Sequence, residues 1–528
     1  MFDGVAHPIP GMSKLLLDAR TLSILKNTTR YLAEQQERAY LVGGSLRNIL
    51  LGEPCNDWDI VIEGDAHRLS RRLADKLGGH YAHLHDKASR VIIKNDPEDI
   101  TLDIASLNGK TIEEDLRTRD FTINAIAVPL NSVVYNSPVI IDPLHGAEDL
   151  QARRLRAIDG SVFQHDPLRM LRAVRLISHY QFDLDPWTRE LIKQDAARLL
   201  SVAAERIHDE LYAILESDGA TGRLRLLDDL GLLTILIPEF IPARGMRQPS
   251  PHYWDVFEHS LETVGALEQI ARTFVGRRFI LSNTSGVVDA INRLPTPENT
   301  PIYLTSDAPT SASLSEIQNM LKEAEQQGIF SPAELTAPRM KMAALLHDIG
   351  KPVTFTTGED GSIRFYNHPQ VGSPIALQIM RRLCASTRDR RLAQLVAAHH
   401  MRPGQLGQDS IVTTRAIRRF FVDLGPTGIA VALFSLADHL ATLGPQPLSH
   451  SWERHLSVVN LLLTRYIRER ESILPPRLLS PEELMRRLKL EPGPLVGQLL
   501  EAIAEAQSEG IIHSKEEALW FAEERLQN

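Results

Sequence analysis

The 528-residue chain carries 58 Lys and Arg against 67 Asp and Glu, a formal net charge of −9, with 43% hydrophobic and 24% charged residues. That length exceeds one core and implies three or four folding units, while the acidic balance excludes a global attraction to nucleic acid, so any RNA must be held by a local basic surface. Only Cys55 and Cys384 occur, which excludes a disulfide framework or a cysteine-rich zinc site and suits a reducing cytoplasm. No apolar run is long enough to span a bilayer, and Met1 to Gly11 lacks the pattern of a signal peptide.

Residues 13–37 carry a helical pattern (Leu15, Leu16, Ala19, Leu22, Leu25) expected to pack on a sheet. Tyr40-Leu41-Val42 reads as a strand broken by Gly43-Gly44, and Ser45 to Leu51 as a helix ended by Gly52. A strand, glycine turn and helix start leave unpaired N–H groups and a positive helix end aimed at one spot, a candidate phosphate site. Asp57 and Asp59 are two apart on the next expected strand, so their carboxylates share one face and Trp58 and Ile60 the other. Side-by-side carboxylates repel unless a cation lies between them, and Mg²⁺ suits such a site, leaving positions for water and substrate phosphate.

Alone, the glycine pair is consistent with a tight turn and the acid pair with a strand cap. Together they resemble the GGxxR and DxD signature of the DNA polymerase beta superfamily of nucleotidyltransferases. More narrowly, they are similar to its class II branch, which holds CCA-adding tRNA nucleotidyltransferases and bacterial poly(A) polymerases. The resemblance implies that Gly43, Gly44, Ser45 and Arg47 cradle a triphosphate and that Asp57 and Asp59 hold Mg²⁺.

Ala66 to Leu77 reads as a helix capped by Gly78-Gly79. Arg90 to Lys94 and Ile100 to Ala105 read as strands separated by Asn95-Asp96-Pro97. Asp103 lies between apolar neighbours and needs a partner, a metal or an edge facing water. The family resemblance makes it the third acid, activator of the attacking hydroxyl. Arg119-Asp120-Phe121-Thr122-Ile123-Asn124-Ala125 is similar to the family's RRDFTxNA motif, with Thr118 where the first arginine usually stands. It implies that Arg119, Asp120 and Asn124 bind the ribose and triphosphate. Ile141 to Leu150 resembles the DPxxG turn that closes the catalytic head.

From about Leu155 the pattern turns helical. Asp166 and Arg169, three apart, are read on one helical face, where they offer an acceptor and a forked donor to a base edge. Their stretch resembles the family's EDxxR neck motif, with His165 replacing Glu. Arg169, Arg172 and Arg175 recur every three residues as a basic stripe expected to track phosphate. Ser201 to Leu211 resembles a second neck segment, in which Glu205 and Arg206 orient neighbouring helices.

Beyond Pro249-Ser250-Pro251 a second chemistry begins. His259 on the amphipathic stretch Trp254 to Val264, then His347-Asp348-Ile349-Gly350-Lys351, His368, His399-His400 and Asp438 resemble, in that order, the HD superfamily of metal-dependent phosphohydrolases. Imidazole with carboxylate suits Mn²⁺, Fe²⁺, Co²⁺, Ni²⁺ or Zn²⁺. By resemblance, His259, His347, Asp348 and Asp438 hold a first metal, and His368 and His400 complete a second site, with His399 competing for the place of His400. A Pro/Ser/Thr-rich run at about 280–335 reads as a loop-rich insertion, with a short helix from Leu314 to Gln327 N-capped by Ser313.

The expected architecture is a multidomain α+β nucleotidyltransferase head (polymerase beta-like) at 1–150, followed by all-α segments: a neck at 151–248, an HD domain at 249–465 and a tail at 466–528. The expected activity is template-independent addition of C and/or A, from CTP and ATP, to the 3′ end of tRNA, in the cytoplasm. No membrane contact and no obligate protein partner are legible. The short connector Ser106 to Ile112 leaves CC-addition, A-addition and poly(A) synthesis open. The alternatives are an HD phosphohydrolase of 2′,3′-cyclic phosphates, 2′-nucleotides or damaged tRNA ends as the main activity, and a non-catalytic RNA-binding protein.

Overall fold

Alternating apolar and polar residues build a six-stranded sheet near the start of the chain: β1 (Ala39–Val42), β2 (Asp57–Ile62), β3 (His80–His85), β4 (Ala88–Ile93), β5 (Ile100–Ser106) and β6 (Ala127–Pro129), in the order β3-β4-β5-β2-β1-β6. β2 and β5 run parallel, and the other neighbours pair antiparallel. The computed structural model describes residues 19–95, 98–134, 139–275, 308–408, 412–446 and 450–527. These fall into two compact units, Met1–Val202 and Ala203–Asn528.

On one sheet face Leu41, Trp58, Ile60, Ile62, Val91, Leu102 and Ile104 pack against Ile24, Leu25, Tyr31 and Leu32 of the helix Ala19–Glu34 and against Leu69 and Leu73 of the helix Ala66–Leu77. Full burial of each such side chain contributes about 1.5–3 kcal/mol. Because strand side chains alternate, this core sends Asp57, Asp59, Arg90 and Asp103 to the opposite face. The first helix turns a different face inward than its apolar pattern implies. Thr21, Ile24, Leu25, Thr28, Tyr31 and Leu32 are buried, Ala19 is exposed and Leu22 half-buried, while Leu15 and Leu16 lie outside the described residues. Thr28 joins the seam because its hydroxyl donates to the Ile24 carbonyl, satisfying the polar atom within the helix. β3 was not expected, since its half-exposed His80 to His85 sequence lacks an apolar alternation.

The second unit is helical. Within the expected loop-rich insertion, the short helix expected at Leu314 to Gln327 is present and longer than expected, Ala308–Gln326. Ile317, Met320, Leu321 and Ala324 are buried at helical spacing and dock on the helix His450–Ile467, so composition was overruled by an apolar stripe. Ser313 lies inside this helix and is not its N-cap. Residues 280–307 of the insertion, and Asp96 and Pro97 of the expected turn, lie outside the described residues. The tail folds as helices Pro481–Leu488, Pro494–Ser508 and Lys515–Gln527 around Leu484, Leu499, Ile503 and Ala518. Among the described residues no single helix is long and apolar enough to cross a membrane.

Candidate functional sites

The parallel register sets Asp57 beside Thr101 and Asp59 beside Asp103. Gly43 enters the helix Gly43–Leu51 with φ +65°, a conformation L side chains avoid. There the chain passes so close to Asp59 that a Cβ on Gly43 would lie 3.1 Å from Asp59 Oδ2, and one on Gly44 3.3 Å from it. Ser45 N–H donates to Asp59 Oδ2 at 3.1 Å, so the carboxylate occupies the helix N-terminus that the sequence assigned to phosphate. Burial raises the Asp59 pKa despite that bond and the nearby Arg119, and Asp103 raises it further. A carboxylate so placed favours a cation. Thr101 Oγ1 donates to Asp57.

Asp103 does stand next to Asp59, but it is not awaiting a partner. Arg90, directly across on β4, donates Nε and Nη2 to its two oxygens at 2.7 and 2.8 Å. The sequence reading missed Arg90, whose only signal is a cross-strand register that cannot be known before the sheet is.

Several residues expected to hold the nucleotide have polar partners within the protein. Ser45 is buried, with Oγ donating to the Val42 carbonyl and accepting from Asp59 N–H. Arg47 is buried too; it donates to Asn124 Oδ1 at 2.7 Å and Tyr180 Oη at 2.6 Å, with its guanidinium 4.4 Å from the Tyr180 ring centroid. Asn124 in turn donates to Asp120, whose other oxygen accepts from Arg172 at 3.1 Å. Burial alone would raise the Asp120 pKa, but Arg172 and Asn124 hold it below the usual carboxylate value. Arg119 differs: Asp115 anchors its Nε and Nη2, and Nη1 lies against Gly43.

Asp166 and Arg169 do not share a helical face. Asp166 is extended (φ −147°, ψ 98°) just past the helix Val162–His165, and Arg169 begins the helix Arg169–Tyr180. Pro167 supplies the reason, since the residue before a proline is driven out of the helical region. Arg169 donates to the carbonyls of Thr118, Arg119 and Val162, and Arg172, though exposed, pairs with Asp120.

In the second unit, His259 lies on the helix Val256–Val275, His347 and Asp348 follow the helix Pro338–Leu346, and His368 opens the helix His368–Arg382. His400 follows the helix Thr387–His399, and Asp438 lies within Thr427–Leu443. The fold gathers all six. His259 Nε2 is 2.9 Å from Asp438 Oδ1, and His347 Nε2 is 3.1 Å from Asp348 Oδ2. His368 and His400 Nε2 approach Asp348 Oδ1 at 3.3 and 3.5 Å. Two ligand triplets lie within 4.8 Å: His259, His347 and Asp438, and His347, Asp348 and His400. His399 is instead beside Arg402, which decides between the adjacent histidines.

These residues fit a metal. Nδ1 of His347, His368 and His400 points at the carbonyls of Ala344, Phe365 and Ala397 (2.8, 3.0 and 3.0 Å), which fixes the tautomer and turns Nε2 inward. Nε2 of His347 and His368 and both Asp348 oxygens are buried without a well-formed hydrogen bond. Burial disfavours a charged His347, yet Asp348 and Asp438 push its pKa up to about 10, and both acids stay well below their usual value. Two neighbours had no role in the sequence reading, Lys351 of the His-Asp motif and His252. Lys351 Nζ is 2.5 Å from Asp348 Oδ2 and donates to Gln248 at 2.6 Å. The His252 ring abuts His259, with centroids 5.5 Å apart, and burial, aided by Lys351, lowers its pKa to about 4.

A buried ion pair holds two of these helices in register. Lys341 Nζ lies 2.8 Å from Glu268 and donates to the Ser217 carbonyl, while Glu268 accepts from Gly219 and Ala220 N–H.

Three family models match the chain: the "Poly A polymerase head domain" at residues 39–156, the "Probable RNA and SrmB- binding site of polymerase A" at 181–244 and the "HD domain" at 314–443. An A-adding tRNA nucleotidyltransferase of Deinococcus radiodurans is 32% identical over 492 residues, spanning 92% of this chain and 95% of that protein. A CC-adding tRNA nucleotidyltransferase of Thermus thermophilus is 30% identical over 501 residues, spanning 92% of each. A CCA-adding enzyme solved with ATP shares the fold at a TM-score of 0.60 and 19% identity, covering 97% of this chain and 95% of that one. With a carboxylate pair against a glycine turn in one unit and a His/Asp cluster in the other, the chain belongs to the tRNA nucleotidyltransferase family, as an enzyme with a polymerase-type head and an HD domain.

Proposed function

We propose that the chain adds C and/or A, without a template, to the 3′ end of tRNA from CTP and ATP, in a reducing cytoplasm. The observation that carries this reading is Asp57 and Asp59 on one sheet face, with Asp59 pressed against the Gly43-Gly44 turn. These acids would hold Mg²⁺, which when bound neutralises the triphosphate and the departing pyrophosphate. Gly43 and Gly44 keep the approach to the carboxylates open, and Arg119 Nη1 offers a donor beside it. Ser45 N–H fixes the Asp59 carboxylate. Arg47, Asn124, Asp120 and Arg172 act as positioning residues, chaining the nucleotide-binding loop to the helices behind it. Asp103 receives the proton of the attacking hydroxyl once Arg90 releases it. Asp166 reads the base edge as an acceptor, and Arg169 holds the Arg119 loop through its carbonyls. The head is proposed at 1–150, with neck, HD domain and tail following as expected from the sequence.

The test is incubation of tRNA ending before C74, after one C and after CC, each with labelled CTP or ATP and Mg²⁺. Incorporation that is lost in Asp59→Ala supports the reading, and its pattern separates CC-addition, A-addition, complete CCA and poly(A) synthesis. Absence of incorporation from every acceptor overturns it.

A second reading is favoured by the orphaned ligand atoms around Asp348. The HD cluster would hold Mn²⁺, Fe²⁺, Co²⁺, Ni²⁺ or Zn²⁺, which when bound supplies an activated water for phosphoester hydrolysis. Lys351 is placed to steady a substrate phosphate beside Asp348. Release of phosphate or opening of cyclic phosphate with Ni²⁺ or Mn²⁺, abolished in Asp348→Ala, tests it.

A further inference from the structure

Several exposed apolar side chains lie close in sequence to the HD cluster. Of the fifteen large apolar side chains exposed among the described residues, Tyr253, Val353, Phe355, Tyr366 and Met401 lie within seven positions of a cluster histidine or aspartate. Three of them belong to a β-hairpin that no sequence pattern announced, Phe355–Thr357 paired with Ile363–Phe365, or to its approaches. This hairpin is joined to the cluster at both ends. The Phe365 carbonyl fixes His368 Nδ1 at 3.0 Å, and Lys351 Nζ, itself 2.5 Å from Asp348, lies 5.6 Å from the Phe365 ring centroid. Phe355 is registered directly against Phe365, so the two rings share a face, with centroids 5.9 Å apart. Arg364, paired with Thr356, belongs to the other face and donates to Tyr366 Oη.

We infer that Phe355, backed by Phe365, is a nucleobase platform for the HD site, so that a nucleotide there is held by its base as well as by its phosphate. The inference rests on the hydrolase reading above. An aromatic side chain left 41% exposed is costly to keep in water, and the Phe365 ring that Phe355 packs against is the one beside Lys351 Nζ. A phosphate beside Lys351 puts the attached base within reach of Phe355. Stacking on such a face is tolerant of base identity, so the platform selects for a base without selecting which one. In the hydrolysis itself, water adds to phosphorus, one ribose P–O bond of the 2′,3′-cyclic phosphate breaks, and the freed ribose oxygen takes the proton.

The full chain loaded with Ni²⁺ is assayed on cytidine 2′,3′-cyclic phosphate and on methyl riboside 2′,3′-cyclic phosphate, which lacks the base. Wild type is expected to show a KM roughly tenfold lower for the nucleotide, in keeping with the loss of one stacked base. Phe355→Ala raises the nucleotide KM to the base-free value, leaving kcat and the base-free kinetics unchanged. Phe355→Tyr retains the preference, as does Tyr366→Ala on the opposite face. Equal KM values in wild type, or a Phe355→Ala effect on both substrates alike, overturn the platform while leaving the hydrolase. Failure of wild type to hydrolyse either compound overturns the hydrolase reading and the platform with it.

Discussion

Gly43→Ala tests the closest approach in the head. Gly43 sits at φ +65°, where a residue with a Cβ costs about 1–2 kcal/mol. The new methyl would lie 3.1 Å from both Arg119 Nη1 and Asp59 Oδ2 and 3.4 Å from Asp59 Cγ, so each must give by a few tenths of an ångström. Neither moves freely: Asp59 is held by Ser45 N–H at 3.1 Å and Arg119 by Asp115 at 2.9 and 3.1 Å. Misplacing a reacting group by about 1 Å costs on the order of 10²-fold. A few tenths, together with a narrowed path for the triphosphate, puts the expected loss of kcat/KM at roughly 10- to 100-fold. Gly44→Ala is the control. It needs no left-handed backbone and its nearest contacts are 3.3 and 3.4 Å, so a loss of only a few-fold is expected. The assay is incorporation of labelled CTP or ATP into tRNA lacking its terminus, with thermal unfolding run alongside to show that both variants fold. If the two variants lose activity equally, or Gly43→Ala stays within twofold of wild type, close packing of Asp59 on the turn is not what organises this site.

Arg90→Gln makes the carboxylate face more negative by one charge, so half-maximal nucleotide addition should need severalfold less Mg²⁺ while the KM for the anionic NTP rises; an unchanged Mg²⁺ titration would show that Arg90 does not face the metal-binding acids. Asp348→Ala removes the carboxylate that four imidazoles approach, and metal analysis of the purified protein should find bound transition metal reduced at least tenfold. Undiminished metal content would place the ion elsewhere. Lys341→Met leaves Glu268 buried and uncompensated and should destabilise the second unit by about 3–5 kcal/mol, with Lys341→Met/Glu268→Gln recovering part of the loss in chemical denaturation; equal stability of single and double variants would mean that the pair is not coupled.

The parts of both sites legible in the sequence are those whose geometry is local. A two-residue spacing on a strand fixes the face of Asp57 and Asp59, and the glycine pair beside them has one structural use. The residues of the His/Asp cluster were named by a different route, as an ordered series of residue types, even though 179 positions separate His259 from Asp438. Arg47 marks where this kind of inference stops. Its motif position suggests a phosphate ligand, but its partners Asn124 and Tyr180 lie 77 and 133 positions away. Nothing in the local pattern distinguishes a guanidinium that meets substrate from one that ties the substrate loop to a helix. Arg90 is the converse case, a functional neighbour without a motif, found only because β4 lies opposite Asp103.

Asp166 is different again, because the sequence did contain the answer. A three-residue spacing argued for one helical face, while Pro167 argued for extended backbone at the residue before it, and the steric rule prevails over the periodicity. A similar ordering of causes lengthens the helix expected at Leu314 to Gln327, whose apolar stripe carries Ala308–Gln326 into the Pro/Ser/Thr-rich run. Composition reports an average, whereas burial of four side chains on one partner is a specific free-energy gain. Motif residues therefore certify that a chemistry is present, but whether each one touches substrate or holds its neighbours is decided by long-range polar partners. In this chain Ser45, Arg47, Asp120 and Asn124 already have internal polar partners, whereas Gly43, Gly44 and Arg119 Nη1 border Asp59 directly.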